Sequence, residues 1–266
     1  MSPFPPPPPK EQPREPASRL KKLLLPLGVV GVVLWKLKVV LVAALKFLPM
    51  LLKTGGTMFL SIWLYAMAWG WWFAAGFVAL MLVHECGHLV AARRVGLAVS
   101  APMFIPFMGA FIALKDAPPD AWVEAQVGIG GPLLGSAGAA ACLGLGFATH
   151  TPLLVALAYS GFFLNLFNLV PIGFLDGGRI AAALSPWLWL MGAVVTGILM
   201  FLDFNLILLV IFVMALPRLW SLFRRKSPEE ERYYEVTPAR RLIMGLLYFG
   251  LAAALVAGMR IAYVPT

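Results

Sequence analysis

Charge is scarce in this chain. Only 12% of its 266 residues are Asp, Glu, Lys or Arg, where a soluble domain carries about 25%. With 61% hydrophobic residues, that shortage excludes a water-soluble globular protein and predicts an integral membrane protein. Cysteine is almost missing. Cys86 and Cys142 both fall in apolar segments, so no disulfide framework is expected. Histidine occurs only at positions 84, 88 and 150. No small-residue cleavage site precedes the first apolar run, so a cleavable leader is not expected.

Acidic residues are the rarer sign, 12 against 21 Lys and Arg, for a net charge of +9. Such an excess can serve nucleic-acid binding, but here the basic residues flank apolar runs, as the orientation of membrane segments requires. The expected partner is the lipid bilayer, with no nucleic acid.

What is present is ordered along the chain. Residues 1–22, "MSPFPPPPPKEQPREPASRLKK", predict a disordered, proline-rich cytoplasmic tail; a docking partner for it is the alternative reading. Residues 23–53 are apolar but broken by Lys36, Lys38, Lys46, Lys53, Pro26 and Pro49. They predict an amphipathic segment in the interface, with a spanning helix left open.

Residues 54–72 form a first span that ends in Trp69, Trp71 and Trp72, and 73–95 return to Arg93 and Arg94. Residues 97–115, interrupted by Pro102, Pro106 and Gly109, predict a re-entrant loop or hairpin near 102–112. Residues 122–147 span again, with Gly131, Gly135 and Gly138 spaced for close helix packing. Residues 152–175 return towards the cytoplasm.

Beyond the core of 54–186, residues 187–216 predict a helical hairpin around "DFN", 217–241 a cytoplasmic loop, and 242–266 a last transmembrane helix. The expected fold class is an all-α polytopic membrane protein with about six to seven transmembrane helices.

The polar residues inside this apolar chain carry the chemistry. His84-Glu85-Cys86-Gly87-His88 has the form H-E-x-x-H. Positions four apart stack on one helix face, so both imidazoles can bind one Zn²⁺ while Glu85 acts as general base on its water. Unpartnered, these groups would cost several kcal/mol in lipid. Cys86, on the opposite face, is expected to pack.

A catalytic zinc needs a third protein ligand. His150 lies in a short loop on the far side, Glu124 begins a span beside the cytoplasm, and Asp203 sits at an outer hairpin tip. Asp176, in "NLVPIGFLDGGRI", remains. His84 precedes Arg93 by nine residues, which sets it about 13 Å deep at about 1.5 Å per residue. The inward run of 152–175 brings Asp176 to the same side. Pro171 and Gly173 interrupt that helix, and Gly177 and Gly178 are expected to supply unusual backbone angles. Asn165 and Asn168 share the helix, either to bind substrate backbone or an oxyanion, or to bond between helices.

With "HECGH", "GGPLLG" and "GFFLNLFNLVPIGFLDGGR" in this order, the chain resembles the site-2 protease family of intramembrane zinc metalloproteases over about residues 54–186. The resemblance implies zinc ligands His84, His88 and Asp176, catalytic base Glu85, and a substrate-holding Asn165. It also implies that a hairpin near 102–112 pairs with an unwound substrate strand. Two departures stand out: Gly135 replaces a frequent Asn, and Gly173 a second proline. The "THTP" loop is too short for the PDZ domain many members carry there.

The expected function is therefore a zinc metalloendopeptidase that cuts transmembrane protein or peptide substrates. It would be multi-pass in a bacterial cytoplasmic membrane, with its N-terminus in the cytoplasm. The rival class is a non-enzymatic scaffold or metal carrier. A carrier should distribute ligands across the membrane, whereas these collect at one depth.

Overall fold

The computed structural model describes Trp35, Lys36, Lys38 and residues 54–106, 109–204, 206–224 and 227–263. The expectations for 1–22, and for 23–53 apart from those three positions, lie outside the described residues.

Helix α1, Thr54–Trp69, and helix α2, Trp71–Arg94, meet at Gly70. Gly70 has φ 81, a left-handed turn that glycine adopts without a Cβ clash. The turn leaves Trp69, Trp71 and Trp72 exposed together, as an interfacial aromatic belt requires. At the other end of α2, Arg93 and Arg94 occupy the last turn, where cations favour the helix dipole.

Strands β1, Met103–Ile105, and β2, Gly109–Phe111, form an antiparallel hairpin with Phe104 opposite Ala110. Phe104 is buried against Tyr65, Ala74, Val78 and Met81, and its N–H donates to Thr57 Oγ1 at 3.2 Å. The hairpin is thereby pinned to α1 and α2.

Helix α3, Ala121–Ala148, is started by Asp120, whose side chain accepts from the Val123 N–H at 2.8 Å. It packs against α2, against α4 (Pro152–Asn168), α5 (Asp176–Leu184) and α9 (Pro238–Ala262), so it forms the centre of the helical core. Helices α6, Leu188–Leu202, and α7, Leu206–Phe223, pack as a pair. The short helix α8, Pro228–Tyr233, opens with a Ser227–Glu230 capping box.

The described chain is mostly helical. By length and composition α2, α3 and α9, with 24, 28 and 25 residues, can cross a membrane, while α4, α6 and residues 208–223 are apolar but shorter. Large apolar side chains remain exposed on α6, α7 and α9, among them Phe201, Leu202, Trp220 and Leu246, as a lipid-facing surface requires. Helix α7 runs on past residue 216, through Pro217, to Phe223. Leu219 and Leu222 pack against the main core there, which outweighs the one backbone donor that proline lacks.

Candidate metal centre

His84, Glu85 and His88 lie on the buried face of α2, each no more than 5% exposed. The four-residue spacing stacks the two imidazoles, whose Nε2 atoms are 3.1 Å apart. Asp176 enters from α5, with Oδ2 3.1 Å from His84 Nε2 and 3.2 Å from His88 Nε2. Three ligand-type atoms from two elements therefore form a nearly equilateral triangle.

The outward nitrogens decide what that triangle can hold. Asn165 Nδ2 donates to the Gly161 carbonyl at 2.7 Å, which turns its Oδ1 towards His84 Nδ1, 2.8 Å away. His84 Nδ1 must then carry the proton. His88 Nδ1 is 2.8 Å from the Val127 carbonyl, which can only accept, so it also carries the proton. In the neutral imidazoles both Nε2 atoms then present lone pairs towards a carboxylate oxygen. Three electron-rich atoms at this spacing repel one another unless a cation joins them. Ligands of a tetrahedral ion at about 2.0–2.2 Å stand about 3.3–3.6 Å from one another, slightly wider than the separations seen. The residues fit a divalent metal.

A carboxylate oxygen of Glu85 lies within 4.8 Å of ligand atoms on both histidines, close beside the triangle. The other sequence candidates are distributed as follows. Asn165 is 1% exposed and spends both ends of its amide on Gly161 and His84. The bond to His84 joins α4 to α2. Asn168 is half-buried, and its Nδ2 donates to the Leu164 carbonyl of its own helix at 3.1 Å. His150 sits in the α3–α4 turn with φ 52, fifteen residues beyond Gly135.

Glycines make the site possible by close approach. A Cβ on Gly131 would stand 2.2 Å from His88 Nε2, one on Gly135 2.3 Å from Asn165 Oδ1, and one on Gly87 2.2 Å from the Gly130 carbonyl. The small-residue spacing of "GGPLLG" signalled the first two. Gly87 and the Val127 carbonyl were missed: a backbone acceptor leaves no mark in the sequence, and Gly87 is visible only once α2 and α3 are in register.

The expectation for Gly177 and Gly178 is corrected. Neither has a positive φ; Gly173 does, at 33. Gly177 and Gly178 are helical residues of α5, whose Cβ atoms would stand 2.1 Å from the Leu169 carbonyl and 2.5 Å from the Ile172 carbonyl. They allow α5 to fold back onto the irregular segment 169–175. Apart from exposed Phe174 and half-buried Val170 that segment is buried in protein, and the Tyr248 hydroxyl donates to its Leu169 carbonyl.

A second polar group braces α5. The Gly178 carbonyl accepts from Trp189 Nε1 at 2.8 Å and Arg218 Nη1 at 3.0 Å. Arg218 Nη2 is 2.8 Å from Glu124 Oε1, and Glu124 Oε2 accepts from the Tyr233 hydroxyl at 2.7 Å. Burial, then the Glu124 carboxylate, push the Tyr233 hydroxyl well above the usual phenol range, so it remains a donor. Sequence reading took Glu124 and the Arg218 stretch separately and did not foresee their contact.

Comparison with known proteins agrees with this geometry. Residues 72–150 match Peptidase family M50, a stretch that holds α2 with His84, Glu85 and His88, and α3 with the glycines opposite them. A protein of Methanocaldococcus jannaschii named as a zinc metalloprotease is 32% identical over 130 residues, which is 47% of this chain and 37% of the relative. The chain thus spans little more than a third of that relative's length. The resemblance carried by "HECGH" and "GGPLLG" falls inside the matched stretch: residues 72–150 are similar to Peptidase family M50, the site-2 protease family.

Proposed function

We propose that the chain is an intramembrane zinc metalloendopeptidase that hydrolyses peptide bonds in or near transmembrane segments of protein substrates. One observation carries this: His84 Nε2, His88 Nε2 and Asp176 Oδ2 converge with lone pairs inward, beside the Glu85 carboxylate, among apolar helices. His84, His88 and Asp176 are the zinc ligands. A zinc ion held by them supplies Lewis acidity and a water acidified towards neutral pH.

The chain's own groups do the rest. Glu85 takes a proton from the attacking water on its carboxylate and returns it to the leaving amine nitrogen. Asn165 acts through His84, holding its ring and tautomer, so substrate backbone must be held by other groups. The hairpin β1–β2 offers strand edges to an unwound substrate. Asn168, half-buried, is assigned no further than the edge of the substrate path.

The remaining features fit this function. Arg93 and Arg94 place one end of α2 in the cytoplasm, and the site in the inner half of a bacterial cytoplasmic membrane. The N-terminus is cytoplasmic, and the proline-rich tail either tethers the chain or docks a partner. A substrate helix must unwind before its backbone reaches the site, so helix-breaking residues near the cut raise the cleavage rate.

The test is zinc per chain in detergent-purified protein, for wild type, Asp176→Ala and Glu85→Gln, with cleavage of a helix-broken transmembrane peptide alongside. Stoichiometric zinc in wild type and Glu85→Gln, its loss in Asp176→Ala, and cleavage by wild type alone is the expected pattern. Zinc retained in full by Asp176→Ala would remove Asp176 from the ligand set.

A further inference from the structure

Next to the kink that leads into Asp176 is an open cavity of about 340 Å³, with apolar walls from Leu114, Phe174 and Met214 and charged groups from Glu124, Arg179 and Arg218. It is large enough for one or two side chains. Its two arginines differ. Arg218 is fully engaged: it bonds Glu124 Oε1 and the Gly178 carbonyl, and its guanidinium lies 5.1 Å over the Trp189 ring. Glu124 is satisfied in turn by Arg218 and Tyr233, so the one acidic group in the wall is not available as a counter-ion.

Arg179 is the opposite case. Among the described residues no hydrogen bond or ion pair is formed by Arg179, which is half-buried on α5 three residues after Asp176. That spacing puts it on the Asp176 side of the helix, and its charge is among those felt by the Glu85 carboxylate. A half-buried guanidinium with neither hydrogen bond nor ion pair in an apolar chain is costly unless a ligand completes it. Its planar fork of donors matches a carboxylate bidentately.

We infer that Arg179 and its cavity bind a carboxylate of the substrate polypeptide. The inference rests on the proteolytic reading. Two sources have this chemistry: an acidic side chain beside the cut bond, and the α-carboxylate that the reaction creates. Hydrolysis breaks the C–N bond, adds the water oxygen to the carbonyl carbon, and sends a proton to the amine. Each turnover therefore creates a new anion, for which Arg179 offers a counter-ion on the Asp176 side of α5.

Two arms test it on the full-length, zinc-loaded protein, comparing wild type with Arg179→Gln, Arg179→Glu and Arg179→Lys, zinc content being measured in each. In the first, Leu/Ala transmembrane peptides with one Gly-Asn break carry Glu, Gln or Lys next to the cut. Wild type should show a KM about tenfold lower for Glu than for Gln, with kcat little changed, and Arg179→Glu should prefer Lys; a tenfold change is about 1.4 kcal/mol.

The second arm needs no turnover. Labelled Leu/Ala peptides ending in a free acid or its amide are bound at equilibrium. The acid should bind about tenfold tighter in wild type, equally in Arg179→Gln, and with recovery in Arg179→Lys. A response in the first arm identifies the side chain, and one in the second the new terminus. Acid and amide bound equally by wild type, with no charge preference in cleavage, would overturn the inference. Absent cleavage with an intact acid preference would instead count against the proteolytic reading alone.

Discussion

The crossing of α2 with α3 and the pair α6–α7 are both helix–helix contacts in an apolar chain, built in different ways. At the first, Cβ atoms added to Gly87 and Gly131 would fall 2.2 Å from the Gly130 carbonyl and from His88 Nε2 respectively. At the second, a Cβ on Gly197 would find its nearest neighbour, Phe212, at 3.9 Å, and Val194, Val195, Ile198 and Leu199 stay exposed. In one place glycine removes volume so that polar side chains can meet, and in the other it is merely tolerated. Close approach serves the polar cluster at Gly131, and it also occurs in apolar packing, as at Gly76 against Leu157 and Gly258 against Phe162.

The comparison is most sharply broken by Gly131→Ala. Its methyl group would occupy the position of His88 Nε2, and zinc affinity should fall at least about 100-fold, the upper end for damage to a ligand's support. Chelator competition measures this, and Gly144→Ala, with nothing within 4 Å of its added Cβ, should leave affinity unchanged. Equal losses from both would mean that the α2–α3 crossing is not special.

Next is Asn165→Ala, which removes the acceptor at His84 Nδ1. The expected loss is about 10–100-fold in zinc affinity. Asn165→Asp keeps an acceptor at that position and should recover most of it. If Asp behaves as Ala does, His84 is oriented by other contacts.

A smaller effect belongs to Tyr233→Phe, which leaves one oxygen of Glu124 without its donor. A stability loss of about 1 kcal/mol is expected in detergent unfolding, with zinc content retained. The smallest change should come from Gly250→Ala on exposed α9, a gain of roughly 0.5–1 kcal/mol from helix propensity. A clear loss there would show that the outer helices also pack tightly through glycine.

Much of the helix pattern could be read in the sequence, because apolar runs here end at strong punctuation. Residues 122–147 were expected to span, and α3 is Ala121–Ala148, bounded by the Asp120 cap and by Pro152 at the start of α4. The continuation of α7 through Pro217 was not readable, since it depends on Leu219 and Leu222 finding the main core. The irregular segment before Asp176 was anticipated from Pro171 and Gly173, but the function of Gly177 and Gly178 was misjudged. Positive φ is a local property, whereas contact with the Leu169 and Ile172 carbonyls exists only after α5 folds back. The convergence of α2 and α5 could be sensed from depth alone; the Val127 carbonyl and the Arg218–Glu124–Tyr233 brace could not, because they depend on which faces meet.

The histidines and Asp176 stand on separate elements, and 88 residues of chain separate His88 from Asp176. At a synthesis rate of about 5–20 residues per second, that interval lasts roughly 4–18 s. During it the emerging chain holds two of the three proposed ligands and an incomplete brace. On the proteolytic reading, a hydrolase that acts within membranes is thus inert while its own helices and their neighbours are still being inserted. Activity begins only after the Asp176 half has arrived and folded against the first, so order of synthesis acts as a safety catch.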